Sequence, residues 1–296
     1  MNRQLLVFFL IACFLLCSGF QNTQIRIGVE AVNILVAVTN KKGKFVTNLS
    51  RNQFEIREEG VIQEITNFDH ETNLPLFIAL IIDTSSSVRL KLDFEKQAAT
   101  NFIYSLMRPV DRALLAEFDT GVSLRHDVTS RPGAIANEIK RLKAGGGTAL
   151  IDALYVVSRE KMTSSSRRNT AVILSDGRDL NSKKTVEEAL RMVHQSGVVV
   201  YSIGTTRFGA NGYIRGEEML RTLSESTGGR VFLPYSAGKL SQAFELIDEE
   251  LRSRYSLTYT PINKDKDGKF RKIEVRVSNG GKVNLRYRKG YFAPSE

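Results

Sequence analysis

The chain has 296 residues, 42% of them hydrophobic, enough for one large domain or two small ones with a full core. Its only cysteines, Cys13 and Cys17, lie near its start, which leaves no disulfide, thiol nucleophile or cysteine-bound metal for the rest of the chain. The formal net charge is +10, with the basic excess gathered late, from Arg252 to Lys289; that favours acidic partners or anionic surfaces, but no nucleic-acid-binding motif accompanies it.

In chain order, Met1 to Gln4 form a short basic start, and Leu5 to Cys17 an apolar run too short for a membrane span. This fits a signal peptide ending at Gly19, and so a site outside the cytoplasm, in the periplasm, in the envelope or beyond it. Leu10-Ile-Ala-Cys13 also resembles a lipoprotein box, a less favoured reading because the apolar run continues behind it. Ile25 to Thr39 alternates like a strand, with Val32, Ile34, Val36 and Val38 on one face. A turn at Gly43, a helical turn at Leu49 to Gln53, a strand from Phe54 and a further strand over Val61 to Phe68 complete a small opening β unit.

Pro75 marks a boundary, after which strands and helices alternate. Leu76 to Ile82 is a near-continuous apolar run, suited to the centre of a parallel sheet covered on both faces. A helix is expected from about Val88 to Met107, with Phe94, Ala98, Phe102 and Leu106 inward. Arg112 to Phe118 and Val122 to Val128 read as a strand pair, Arg131 to Leu142 and Thr148 to Lys161 as helices around Gly145-Gly-Gly147, and Ser164 to Arg168 as a polar loop. A second buried run, Thr170 to Leu174, precedes a helix (Thr185 to Ser196), a strand (Val198 to Ile203), a helix (Glu217 to Ser226), a short strand (Val231 to Leu233) and a last helix (Leu240 to Arg252). This pattern predicts a doubly wound, mainly parallel α/β sheet. From Tyr255 the pattern is β again, and Arg271 to Val277 is expected to pair with Lys282 to Arg288 across Asn279-Gly-Gly281.

Both buried runs end in oxygen-bearing residues: Asp83, Ser85 and Ser87 after the first, Asp176 after the second. Thr148 follows the three glycines. In open α/β sheets, ligands bind beyond the carboxyl ends of the strands. Singly, Ser87 and Thr148 read as helix caps and Asp83 and Asp176 as turn residues. Together they form a carboxylate and hydroxyl set, without His or Cys, that suits Mg²⁺, Mn²⁺ or Ca²⁺.

Asp83-x-Ser85-x-Ser87, Thr148 after its glycine turn, and Asp176-Gly177 resemble the metal-ion-dependent adhesion site of von Willebrand factor type A domains. Lys42-Gly-Lys-Phe-Val, Gly147-Thr-Ala-Leu-Ile-Asp152, Ser175-Asp-Gly-Arg-Asp179, Thr227-Gly-Gly229 and Arg288-Lys-Gly-Tyr-Phe292 are similar to a bacterial, acidobacterial-type secreted subfamily. Ser86 departs from the glycine common in the first motif. The expected organisation is a signal peptide (1–19), an N-terminal β segment (25–73), a central domain (74–254) that the resemblance makes the type A domain, and a C-terminal β segment (255–292) that packs with the first because each flank is too small to bury a core alone. It implies binding without catalysis: a divalent ion on Asp83, Ser85, Ser87, Thr148 and Asp176 takes an Asp or Glu of a partner protein. No nucleic acid or small-molecule substrate is expected, and envelope association is left open. Arg89 and Arg178, with Lys91, Arg207 and Arg215, are the cations placed to steer an acidic partner. The other readings are a structural envelope protein with a vestigial site and a metal-dependent hydrolase. Against the hydrolase, Ser85 stands where a haloacid-dehalogenase-type phosphatase needs Asp, Thr148 where a P-loop needs Lys, and His70, His126 and His194 sit in no triad motif.

Overall fold

A computed structural model describes residues 31–70, 75–162, 168–205, 214–234, 236–278 and 282–295, with the side chains of 214, 215 and 237 excepted. The leader with Cys13 and Cys17, the start of the strand expected from Ile25, most of the loop expected from Ser164, Arg207, and the turn Asn279-Gly-Gly281 lie outside these residues.

The central sheet has six strands: β5 (Leu76–Asp83), β6 (Arg112–Phe118), β7 (Val122–Thr129), β8 (Arg168–Ser175), β9 (Val199–Gly204) and β10 (Val231–Phe232), in the order β10-β9-β8-β5-β6-β7. All neighbours are parallel except β6 and β7, which form an antiparallel pair. Every residue of β5 and β8 is buried, as a strand covered on both faces requires. Alternation along β5 sends Leu76, Ile78, Leu80 and Ile82 into one core, against helices α1 (Leu92–Leu106), α2 (Pro132–Arg141) and α6 (Ala237–Arg252). Phe77, Ala79 and Ile81 point to the other face, into a core shared with α3 (Leu150–Lys161), α4 (Val186–Gln195) and α5 (Ile214–Ser226). From β5 the chain pairs first with β6 on one side and later with β8 on the other. The crevice beyond the ends of β5 and β8 is therefore a topological switch point.

The terminal segments build two antiparallel four-stranded sheets. One has the order β13-β1-β11-β4, from β13 (Val283–Arg286), β1 (Val32–Asn40), β11 (Arg254–Tyr259) and β4 (Ile65–His70). The other is β14-β12-β2-β3, from β14 (Gly290–Phe292), β12 (Phe270–Val277), β2 (Phe54–Glu58) and β3 (Val61–Gln63). The two sheets share one core of Val32, Ile34, Val36, Val38, Phe54, Ile56, Tyr255, Leu257, Tyr259, Ile273 and Val275. Each sheet mixes strands from both flanks of the α/β unit. The join to that unit is charged: Glu250 at the end of α6 is fully buried and takes hydrogen bonds from Arg254 and Tyr201, at 2.7 and 3.0 Å, and from Arg286 of β13.

Three expectations are corrected. The segment around Arg271 to Val277 and the one around Lys282 to Arg288 do not pair: β12 bonds to β2 and β14, while β13 bonds to β1. β12 and β13 therefore lie in different sheets. Val61 to Phe68 is two strands, because the chain changes sheet between Gln63 and Ile65. Helix α1 starts at Leu92, after a 3₁₀ turn over Ser86–Val88, and Phe94 is exposed. The buried stripe of α1 is Leu92, Glu95, Ala99, Phe102 and Leu106, so a carboxylate occupies a position that apolar periodicity had assigned outward.

Candidate functional site

Asp83 is the last residue of β5 and Ser175 the last of β8, its neighbour. The parallel register sets the two strand ends side by side, and the Ser175 hydroxyl donates to Asp83 Oδ2 at 2.7 Å. The Asp83 Oδ1 atom takes the Ser85 backbone N–H at 2.9 Å, which folds the chain back at once. Ser85 and Ser87 then bring their Oγ atoms within 2.9 Å of each other.

The glycine loop lies against this turn. The Gly145 N–H donates to the Thr84 carbonyl at 2.7 Å, and the Ser86 hydroxyl donates to the Gly146 carbonyl at 3.0 Å. Ser86 thus replaces the freedom of a glycine with a tie between two loops. Thr148 is clamped from its other side: its N–H donates to Asn181 Oδ1 at 2.8 Å, and its carbonyl accepts from Leu180 and Asn181 N–H, each at 2.9 Å. Gly147 has to be glycine, since a Cβ there would lie 2.0 Å from Asn181 Oδ1. Gly177 has φ +76°, and a Cβ there would lie 2.1 Å from the Gly216 carbonyl. The loops carrying Asp83-Ser85-Ser87, Thr148 and Asp176 therefore meet over the ends of β5 and β8.

The site residues are mostly buried. Asp83 is fully buried, Ser85, Thr148 and Asp176 nearly so, and only Ser87 of the five is exposed. Asp83 is set inside because β5 is covered on both faces to its last residue. Burial pushes its proton affinity up, the Ser175 and Ser85 hydrogen bonds pull it down, and the charge of Asp176 pushes it up again, with a net rise. The Asp176 Oδ1 atom takes the Arg178 N–H at 3.0 Å, and Arg178 Nε lies 3.7 Å from Oδ2. Arg178 is thus exposed but folded back toward the site. Arg89 is exposed on the turn before α1, and Lys91 reaches in to donate to the Thr205 carbonyl.

Sequence reading missed Ser175 as the partner of Asp83, although it ends the same motif, and Asn181 as the clamp on Thr148. It also missed Glu95, which only a wrongly phased helix concealed. Leu90 and Leu180, on the loops beside the site, are 99% and 77% exposed.

The donor set is carboxylate and hydroxyl oxygen, with no nitrogen or sulfur, and so fits a hard divalent cation. Among the described residues no three His, Cys, Asp or Glu side chains gather into one cluster, so hydroxyls would have to supply part of any coordination shell.

Comparison with known proteins bears on this geometry. The family model described as von Willebrand factor type A domain matches residues 78–178, from β5 through the Asp176 loop. Uncharacterized protein sll0103 of Synechocystis sp. is 33% identical over 113 residues, or 37% of this chain; the match spans only 27% of that relative. A von Willebrand factor type A structure from Catenulispora acidiphila superposes with a TM-score of 0.53 at 14% identity, over 89% of this chain and 74% of that one. The vWF domain of the type V pili tip protein Mfa5 from Porphyromonas gingivalis gives 0.52 at 12% identity, over 60% and 95%. Proximal thread matrix protein 1 from the mussel byssus gives 0.52 at 19%, over 66% and 50%. At these identities the structural likeness is one of fold.

Proposed function

From a chain that carries a von Willebrand factor type A domain, we propose a protein-binding module that works outside the cytoplasm and docks through a divalent cation. The observation that carries this reading is the meeting of three oxygen-bearing loops at the switch point of the sheet. Asp83, Ser85, Ser87, Thr148 and Asp176 would hold Mg²⁺ or Mn²⁺, with Ca²⁺ as the larger alternative. When bound, such an ion supplies an electrophilic centre that attracts one further anion. The residues named do the rest. Asp83 and Asp176 give only two negative charges, which leaves room for a carboxylate from an acidic partner. The Ser85 hydroxyl is buried and paired with that of Ser87, which is exposed.

The surroundings support docking of a protein. Leu90 and Leu180 offer apolar contact on loops that adjoin the site residues, and Arg89 and Arg178 offer positive charge. Pilus-tip and byssal-thread proteins among the structural neighbours are in keeping with adhesion. The leader pattern supports export. Against hydrolysis, His126 is half-buried on β7 with its Nδ1 against the Asp127 carbonyl, and His194 is packed against Phe270 and Phe292, so neither stands ready as a base at Ser85 or Ser87.

The test is crosslinking of the mature chain in its own cell envelope, followed by affinity measurement with the captured protein. Binding is expected to vanish in EDTA, to return with Mg²⁺ or Mn²⁺, and to require one Asp or Glu of the partner. Asp83→Asn can still accept the Ser85 N–H on its Oδ1 and turn its amide NH2 to the Ser175 hydroxyl as donor, and it is expected to abolish binding without unfolding the domain. Full-strength binding in EDTA would move the docking surface elsewhere, the basic C-terminal strands being the next place to look.

A further inference from the structure

Glu95 is 1% exposed, on the inward stripe of α1 among Leu92, Ala99, Phe102 and Leu106. A carboxylate placed there is costly unless something compensates it. Among the described residues neither of its oxygens has an aligned hydrogen-bonding partner. Nor is it paired in the way its neighbours are: Lys96 turns outward to Asp93 and to the Leu142 carbonyl. A buried, unpartnered carboxylate of this kind calls for a cause.

Its position supplies one. Across from Glu95 stands Thr205, whose own hydroxyl is buried and unpartnered. Thr205 is close enough to damp the proton affinity of Glu95 without being aligned for a hydrogen bond. Thr205 follows β9 and donates its N–H to the Ser175 carbonyl at 2.9 Å, and Ser175 holds Asp83. Glu95 thus lies behind the strand ends that carry the candidate site, within electrostatic reach of Asp83 and Asp176. Among the described residues Lys91 is the cation acting on it, and that ammonium is bonded to the Thr205 carbonyl.

We propose that Glu95 is a third carboxylate of the cation site, acting from its inner side through water and through its charge, and not as a direct ligand. This rests on the cation reading above. The outer role follows from the spacing, because Glu95, Asp83 and Asp176 do not close into one three-carboxylate cluster. Burial, helped by the charges of Asp83 and Asp176, raises the Glu95 carboxyl to about 8, so near neutral pH its charge is expressed when a bound cation displaces the proton. Three acids grouped with Lys91 and Arg178 form an arrangement that a divalent ion relieves. The buried Thr205 hydroxyl stands beside the Glu95 carboxyl, and a water bound between them and the ion would join both to the site.

The experiment is Mn²⁺ titration by calorimetry on the mature wild-type chain, Asp83→Asn, Glu95→Gln and Glu95→Asp, with the melting temperature of each metal-free protein as a fold control. Glu95→Gln keeps the shape and removes the charge. It is expected to weaken Mn²⁺ binding by roughly 10-fold or more with no drop in melting temperature, while Glu95→Asp recovers part of the loss. Wild-type affinity in Glu95→Gln, beside no binding in Asp83→Asn, would overturn the role of Glu95 and leave the cation site standing. Equal weakening in Glu95→Gln and Glu95→Asp would point to packing and overturn it too. No Mn²⁺ binding by the wild type would remove the site itself, and the Glu95 role with it.

Discussion

At the scale of single residues, the candidate site depends on atoms that are not donors to any ion. Gly147 is the clearest case, since it leaves the space in which Asn181 Oδ1 takes the Thr148 N–H. Gly147→Ala must push Asn181 away and strand that N–H, at a cost of ~1–3 kcal/mol. Its expected result is a lower melting temperature together with weakened Mn²⁺ binding. Gly145 offers the control within the same run: nothing stands within 4 Å of its Cβ position. Gly145→Ala is expected to change neither quantity, and equal effects at the two glycines would mean that the Asn181 clamp is not what fixes Thr148. The residue types at Asp83, Ser85, Ser87, Thr148 and Asp176 were legible in the sequence because each ends or follows a strongly patterned element. Ser175 and Asn181 were not, because their roles arise only when β5 lies beside β8 and one loop closes over another.

At the scale of elements, α4 is held by more than its apolar stripe. It opens with a capping box between Thr185 and Glu188. It ends with His194 buried near Phe270 and Phe292, ring centroids 6.0 Å apart in each case. Burial, with a smaller push from Arg288, lowers the imidazole from 6.5 to about 4. Between those values the unfolded chain takes up a proton that the folded chain refuses. The contribution of His194 is therefore whole above about pH 6.5 and is lost as the pH falls toward 4. Thermal unfolding is expected to show a fall in stability from pH 7 to pH 5 that is shallower in His194→Phe. An unchanged slope would show that the ring is not kept neutral by this packing.

The elements themselves were largely legible, since a parallel core strand and an amphipathic helix differ in period. The failures share a cause. A short alternating strand states which face is buried but not against which sheet, so β3 and β4 were run together and β12 and β13 were paired. The phase of α1 was set by Phe94, and the buried stripe turned out to include an acid.

At the scale of the molecule, the two flanks are one structure. β1 has β11 on one side and β13 on the other, so both its neighbours come from beyond α6. Neither flank can cover its share of the common core alone. Removal of Tyr255 onward is thus expected to leave residues 31–70 open to limited proteolysis, while the central sheet stays protected. Protection of 31–70 at the intact level would show that the flanks fold independently. Glu250 offers a finer probe. Glu250→Ala leaves Arg254 buried without its counter-charge, and the expected loss is ~3–5 kcal/mol in chemical unfolding.

The antiparallel run of β1 along β11 has a mechanical consequence. Val32 lies opposite Tyr259, and Ala37 opposite Arg254. The same end of the sheet that holds Arg254 also holds His70, opposite Tyr255, and these two residues lead to α6 and to β5. A pull applied at Val32 and resisted at the loops around Asp83 therefore drags β1 lengthwise past β11, and the rungs between them share the load instead of opening one after another. Tension between the first strand and a docked partner would meet this sheet in its stiff direction.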